Sequence, residues 1–260
     1  MTKILTGAVA VILSIVLGAG CGPRTEPSPA GWPQDYKNFT IVWTGEKGLD
    51  LVTGPAVAVR AYIESFFLVE LTGDDKYLYP GFATAVADEW RPGTADPADD
   101  PWVGTLTNRL LSLTRNDSAV TAIGCMYTYG AASPDGKGEY ASRGVPIGSP
   151  EGGINAFKVT LSANSGSGES GKPQEGPERT PFDDVFGGYQ IDGYWGGYIS
   201  AKNKDSWDWP ERQEATDECV AKAPDPFERR KYLLENFLPQ SEFYPLPVKP
   251  GWPARPESAG

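Results

Sequence analysis

The chain has 260 residues, 40% of them hydrophobic and 22% charged, with 34 acidic side chains against 23 basic ones and a net charge of −11. So acidic a surface argues against recognising nucleic acid or anionic lipid head groups through overall charge. Histidine is absent, which excludes Ser-His-Asp and Cys-His catalysis and histidine-ligated zinc or haem, and neither a cofactor nor a metal site is expected.

Lys3 precedes an uninterrupted run of apolar and small residues from Ile4 to Gly20, after which the chain turns polar at once. This is the plan of a secretory signal over residues 1–20. The run is barely as long as the ~20 residues a bilayer span needs and closes on Gly-Ala-Gly, which weighs against a permanent spanning helix. The segment LGAGCG, residues 17–22, resembles the lipobox of bacterial lipoproteins, with Gly18 where leucine is usual and Leu17 one place earlier. The resemblance implies that Cys21 is lipidated through a diacylglyceryl thioether and becomes the first residue of the mature chain, with an amide-linked acyl chain on its amine in bacteria that add one. Several acyl chains together anchor stably, each buried methylene contributing about 0.8 kcal/mol. The expected location is the extracytoplasmic face of the cell membrane. Loss of the signal removes only Lys3 among the charges, leaving 22 basic residues against 34 acidic.

Residues 21–35 are proline-rich and read as a tether that reaches about 3 Å per residue when extended. One globular domain is expected over residues 36–245, with a flexible loop at 162–181, followed by a Pro-rich tail at 246–260. Within the domain, Thr53 or Gly54 caps a helix, Pro55 suits its first turn and Gly73 stops it. Val59, Ile63, Phe66 and Phe67 follow helical spacing, and Leu68, Val69 and Leu71 widen the apolar face, so the helix is expected to be mostly buried. A shorter helical piece lies in PGFATAVADEW, residues 80–90.

Beyond it the pattern changes to period two. GTLTNRLLSLTRND, residues 104–117, reads as either strand or helix, and its threonines and turn-like end favour a hairpin arm leading into AVTAIGCMYTYG. There Ile123, Cys125, Tyr127 and Tyr129 share one face; in AFKVTLS, Phe157, Val159 and Leu161 oppose Lys158 and Thr160. Such alternation predicts half-buried strands. The octet GSGESGKP, residues 166–173, differs by one letter from a phosphate-binding loop. Pro173 replaces the hydroxyl that would hold magnesium and no helix signal follows, so a surface loop is expected instead. A last strand, YQIDGYWGGYISA, places Tyr189, Ile191, Trp195 and Ile199 on one side and Gln190, Asp192, Tyr194 and Tyr198 on the other, with Gly193, Gly196 and Gly197 permitting a bend.

With Cys21 assigned to lipid, Cys125 and Cys219 remain in an oxidising compartment. A disulfide between them is favoured over two free thiols, and in the chain-entropy model such a loop is worth as much as about 4 to 5 kcal/mol. It would staple the C-terminal segment to the sheet. In KDSWDWPER, Trp207 and Trp209 either present stacked rings to sugars or plug a core edge, the commoner role. YPLPVKPGWPARP reads as an irregular tail before it reads as a polyproline ligand.

Helices first and strands after them make an α+β plan: an early buried helix packed on a curved, mostly antiparallel sheet, after a signal peptide. A β-sandwich or another mixed fold is the alternative. By element order over residues 53–201 the body resembles the cone-shaped nuclear-transport-factor-two-like fold and the lipoproteins of actinobacteria and their phages. The resemblance implies a pocket on the concave face, with Tyr127, Tyr129, Asp192, Tyr194 and Tyr198 as candidate ligand-binding residues. The expected function is non-catalytic binding of a small apolar ligand or an envelope protein, whose phage-derived version is exclusion of superinfecting phage. The alternative is an isomerase or hydrolase in which Asp192 is the base and Tyr194 and Tyr198 are phenolic donors. A deep pocket around a desolvated Asp192 would favour the enzyme; a filled cone and an exposed apolar patch would favour the binder.

Overall fold

The computed structural model describes residues 29–93, 98, 100–145, 148–163, 171–198, 201–203 and 208–256. The signal, Cys21, Trp207 and most of the phosphate-loop-like octet therefore lie outside the described residues. The fold is α+β, with four helices and a curved, mostly antiparallel sheet of seven strands among the described residues, consistent with a cone-like plan. The strands are β1 (Phe39–Gly45), β2 (Val103–Asn116), β3 (Ala119–Tyr127), β4 (Ala131–Pro134), β5 (Tyr140–Ser142), β6 (Ile154–Ala163) and β7 (Tyr189–Gly196). They run in the order β5-β4-β2-β3-β6-β7, and β1 joins β2 as the parallel member. Among the described residues no helix is long and apolar enough to cross a membrane.

Helix α1 (Pro55–Thr72) starts as its punctuation predicts. Gly54 takes φ 63° before Pro55, and Gly73 takes φ 65° and donates its N–H to the Val69 carbonyl at 2.7 Å. Its residues from Ala56 to Val69 are all buried, because α1 has the sheet on one side and chain from both ends of the protein on the other. Helix α2 (Phe82–Ala85) and a 3-10 turn at Asp88–Trp90 occupy the second predicted helical piece. Segment 103–116 is a strand and forms the hairpin with β3. Asp117 makes the turn at φ 52°, a left-handed conformation that aspartate tolerates better than most residues.

Both faces of the central strands are covered, where the alternation predicted burial on one face only. Val120, Ala122 and Met126 of β3 pack toward α1 on the inner face, while Cys125, Tyr127 and Tyr129 pack on the outer face. The outer cover is a layer made by α3 (Arg212–Ala221), α4 (Phe227–Glu235) and the chain up to Phe243. Cys219 of α3 is disulfide-bonded to Cys125 of β3, so the bridge staples this layer to the sheet as expected. Replacing both cysteines by alanine should lower unfolding free energy by about 2 to 4 kcal/mol. Alkylation of denatured but unreduced protein should leave both cysteines unlabelled; labelling of both would remove the bridge.

The proline-rich tail contributes Trp252 to the core. Trp252 is buried against α1, its Nε1 donates to Glu64 Oε2 at 2.7 Å, and Trp43 N–H donates to the Lys249 carbonyl at 2.7 Å. The described end of the expected flexible loop is tied down from Gln174 onward, although residues 171–173 are exposed: Gln174 N–H donates to the Val52 carbonyl, and Glu178 pairs with Trp252. Arg60 joins these segments by donating to the carbonyls of Leu51, Gln174 and Gly251 at 2.9, 3.0 and 2.7 Å. One turn along, Glu64 accepts from Trp43 Nε1, Tyr79 Oη and Trp252 Nε1. Burial pushes the Glu64 carboxyl up, against the opposing pull of Arg60 and the three donors. At the other end, Trp32 of the expected tether donates Nε1 to the Tyr36 carbonyl and stacks on Phe39, so the domain begins before residue 36.

Candidate functional site

The concave inner face is filled rather than hollow. Tyr62, Phe66, Phe82 and Tyr194 form one ring cluster and Phe39, Phe67, Trp102 and Tyr198 another, with neighbouring centroids 5.4 to 6.2 Å apart. The pocket expected there is replaced by side chains.

The grouping of Asp192, Tyr194 and Tyr198 is also corrected. In the β6–β7 pairing Gly193 faces Thr160 and Ile191 faces Leu161, which leaves Asp192 as an extra residue in a bulge. Two residues opposite one reset the alternation. Tyr189 and Ile191 share one face as predicted, and it is the inner one, but beyond the bulge Tyr194 points inward and Trp195 outward, the reverse of strict period two. Tyr194 is fully buried, and burial pushes its phenol well up. Asp192 is exposed on the bulge, and Tyr198 belongs to the second ring cluster. No base-and-donor set is assembled.

Tyr127 and Tyr129, in contrast, come together on the outer face with ring centroids 6.1 Å apart. They line a cleft of about 90 Å³ between the sheet and the outer layer, along with Thr105, Asp225, Arg229, Glu242 and Tyr244. Period two places Tyr127 beside Cys125, and the disulfide carries the Cys219 carbonyl to within 3.0 Å of the Tyr127 hydroxyl that donates to it. Tyr129 Oη donates to Asp225 Oδ2 at 3.0 Å. Burial pushes the Tyr127 phenol up to about 12, and burial with Asp225 alongside pushes Tyr129 up further. Neither phenol ionises near neutral pH, and both protons are already given to protein acceptors. Across the cleft Arg229 and Glu242 form a half-exposed ion pair at 2.9 Å.

The sequence pattern did not single out Asp225, Arg229, Glu242 or Tyr244. The signal for α4 was present, with Pro226 ahead of the first turn and Arg230, Leu233 and Leu234 at i, i+3 and i+4 on the buried face. Burying that face leaves Tyr232 outward, and Phe227, Phe237, Tyr244 and Leu246 are also exposed. Arg229 lies 5.3 Å from the Tyr232 ring, and buried Arg230 lies 5.7 Å from the Phe227 ring. Trp209 is a core plug, buried in the outer cluster with Lys158 over its ring, which is no platform for sugars. Among the described residues no group of three or more acidic or cysteine side chains is placed to hold a metal ion.

The cleft thus offers aromatic rings around a small hollow that carries two carboxylates, Asp225 and Glu242, against one guanidinium, Arg229. Its volume suits one side chain or one small polar group, well short of the several hundred cubic ångströms of ordinary ligand pockets. Comparisons with protein-family models, with curated proteins and with solved structures return no match to this chain, so the geometry alone carries the functional reading.

Proposed function

We propose that the chain is a lipid-anchored extracytoplasmic binding protein whose outer-layer cleft receives a side chain of a partner protein at the cell envelope. The observation that carries this reading is the exposed apolar surface of the outer layer and the chain after it, where Phe237 is 61% exposed, Tyr244 59%, Tyr232 42% and Leu246 41%, with Tyr244 and Leu246 lining the cleft itself. Aromatic residues with arginine close by are what protein interfaces enrich, and energetic hot spots gather where such rings surround a small pocket. The lipobox-like segment ending at Cys21 supports the location. The filled inner face weighs against a small apolar ligand inside the cone, and the isolation of Asp192 weighs against the isomerase or hydrolase.

A photo-crosslinking amino acid at Tyr244 should capture a discrete envelope partner, and the same group at Asp192, exposed on β7, should not. With that partner purified, Phe237→Ala with Tyr244→Ala should weaken binding about 10- to 100-fold. Equal capture from both positions, or unchanged affinity, would defeat the reading.

A further inference from the structure

Where the chain enters the fold there is a second, larger hollow of about 630 Å³, lined by Pro29, Trp32, Glu178, Arg179, Phe182 and Arg255 among others. The guanidinium of Arg179 lies 5.3 Å from the Trp32 ring, and that of Arg255 lies 4.3 Å from the Phe182 ring. Arg179 is pinned by donating Nη1 to the carbonyls of Lys37 and Phe39 at 3.1 and 3.3 Å. Trp32 is pinned through the Tyr36 carbonyl. Two guanidiniums therefore face one carboxylate, Glu178, in a chain whose net charge is −11. Asp35 and Asp183 flank the hollow in sequence and are exposed.

We infer that this surface faces the bilayer, with Arg179 and Arg255 engaging the phosphates of anionic lipid head groups. The inference rests on the anchored reading above. Pro29 follows Cys21 by only eight residues, which extended at about 3.1 Å each give a reach of about 25 Å. A lipid on Cys21 therefore holds this face, more closely than any other, to the membrane surface. Tryptophan and phenylalanine rings suit the head-group boundary, and the planar arginine fork matches phosphate. The overall negative charge is repelled by an anionic leaflet, and the two guanidiniums against one carboxylate in the lining of the hollow orient the body. The hollow belongs to the α1 layer and the partner cleft to the outer layer, across the sheet, so docking leaves the cleft open to a partner.

The test uses the full-length protein reconstituted in phosphatidylcholine vesicles with or without phosphatidylglycerol, with lipids brominated near the head-group end of their acyl chains as tryptophan quenchers. Quenching is expected in the phosphatidylglycerol vesicles and should disappear in Trp32→Phe, which keeps an aromatic ring beside Phe39. Arg255→Gln should lower the docked-to-undocked ratio about fivefold, and adding Arg179→Gln should lower it about fivefold again. Because Arg255 is exposed, its variant stays informative even where Arg179→Gln disturbs the carbonyls it binds. Absent quenching, quenching that survives Trp32→Phe, or quenching indifferent to Arg255→Gln would overturn the docking. The mass of the Cys21 peptide reads the anchor separately. Bare Cys21 with quenching intact removes the anchor alone, and lipidated Cys21 without quenching removes the docking alone.

Discussion

Arg60→Met is expected to destabilise the protein by about 3 to 5 kcal/mol, read as a lowered denaturant midpoint with an unchanged slope. Arg60 and Glu64 are both buried, Arg60 Nε lies 3.9 Å from Glu64 Oε1, and the guanidinium ties down three carbonyls from separate stretches of chain. Methionine keeps much of the volume and removes the charge, leaving Glu64 with its three hydrogen-bond donors but no counter-charge inside the core. The pair contributes little net energy compared with a well-packed apolar substitute, whereas breaking it exposes the full desolvation cost. Without Arg60 the folded carboxyl, already raised by burial, rises further above its unfolded value. The folded state of the variant then holds a proton that the unfolded chain has lost, so the deficit grows as pH rises from the usual carboxylate value of about 4.3. Adding Glu64→Gln in the same chain should recover part of the loss and flatten that pH dependence. A cost below about 1 kcal/mol for Arg60→Met would mean that the C-terminal segment is held by Trp252 and the backbone bonds at Lys249 and Glu178, without help from Arg60.

Tyr194→Ala is expected to cost about 3 to 5 kcal/mol by opening a cavity between α1 and the sheet. Its ring centroid lies 5.6 Å from both Tyr62 and Phe66, and the residue is fully buried. Trp195→Ala should cost less, about 1 to 2 kcal/mol, because that ring lies half-buried over Lys158 and Trp90 on the other side of β7. Strict alternation predicts the reverse order, so the pair of variants reads the bulge directly. Tyr194→Phe should be tolerated to within about 1 kcal/mol, since the hydroxyl has no hydrogen-bond partner among the described residues. If Trp195→Ala proves the costlier change, the register across Asp192 is wrong.

Local signals in the sequence carried the elements well where physical punctuation was strong. Gly54, Pro55 and Gly73 bounded α1, the turn at Asp117 made the hairpin, and alternation placed Cys125, Tyr127 and Tyr129 on one face. It read the β7 faces wrongly because a single inserted residue reverses every side chain after it. Gly193 permits such an irregularity without announcing it: a Cβ there would collide with the Trp195 ring and Thr160 Oγ1. The candidate site was half legible. Tyr127 and Tyr129 were named, but their partners Asp225, Arg229 and Glu242 lie about a hundred residues further along, and nothing local pairs them.

The amino-acid sequence by itself determined that no histidine chemistry is possible in this chain, that two cysteines remain to pair once Cys21 is set aside, and that a buried helix lies ahead of most of the sheet; it did not show β1, which precedes that helix and joins β2. Those properties depend on residue type and on spacing within one element. Tertiary structure alone decided that the proline-rich end supplies Trp252 to the core, because that ring is buried against Glu64, 188 residues away in sequence but adjacent in space, which accepts its Nε1–H. It alone decided that both faces of the sheet are covered, since an outer layer held by the disulfide turns a half-buried strand into a central one. Burial is a property of what arrives from elsewhere in the chain, and a period read along one segment cannot report it.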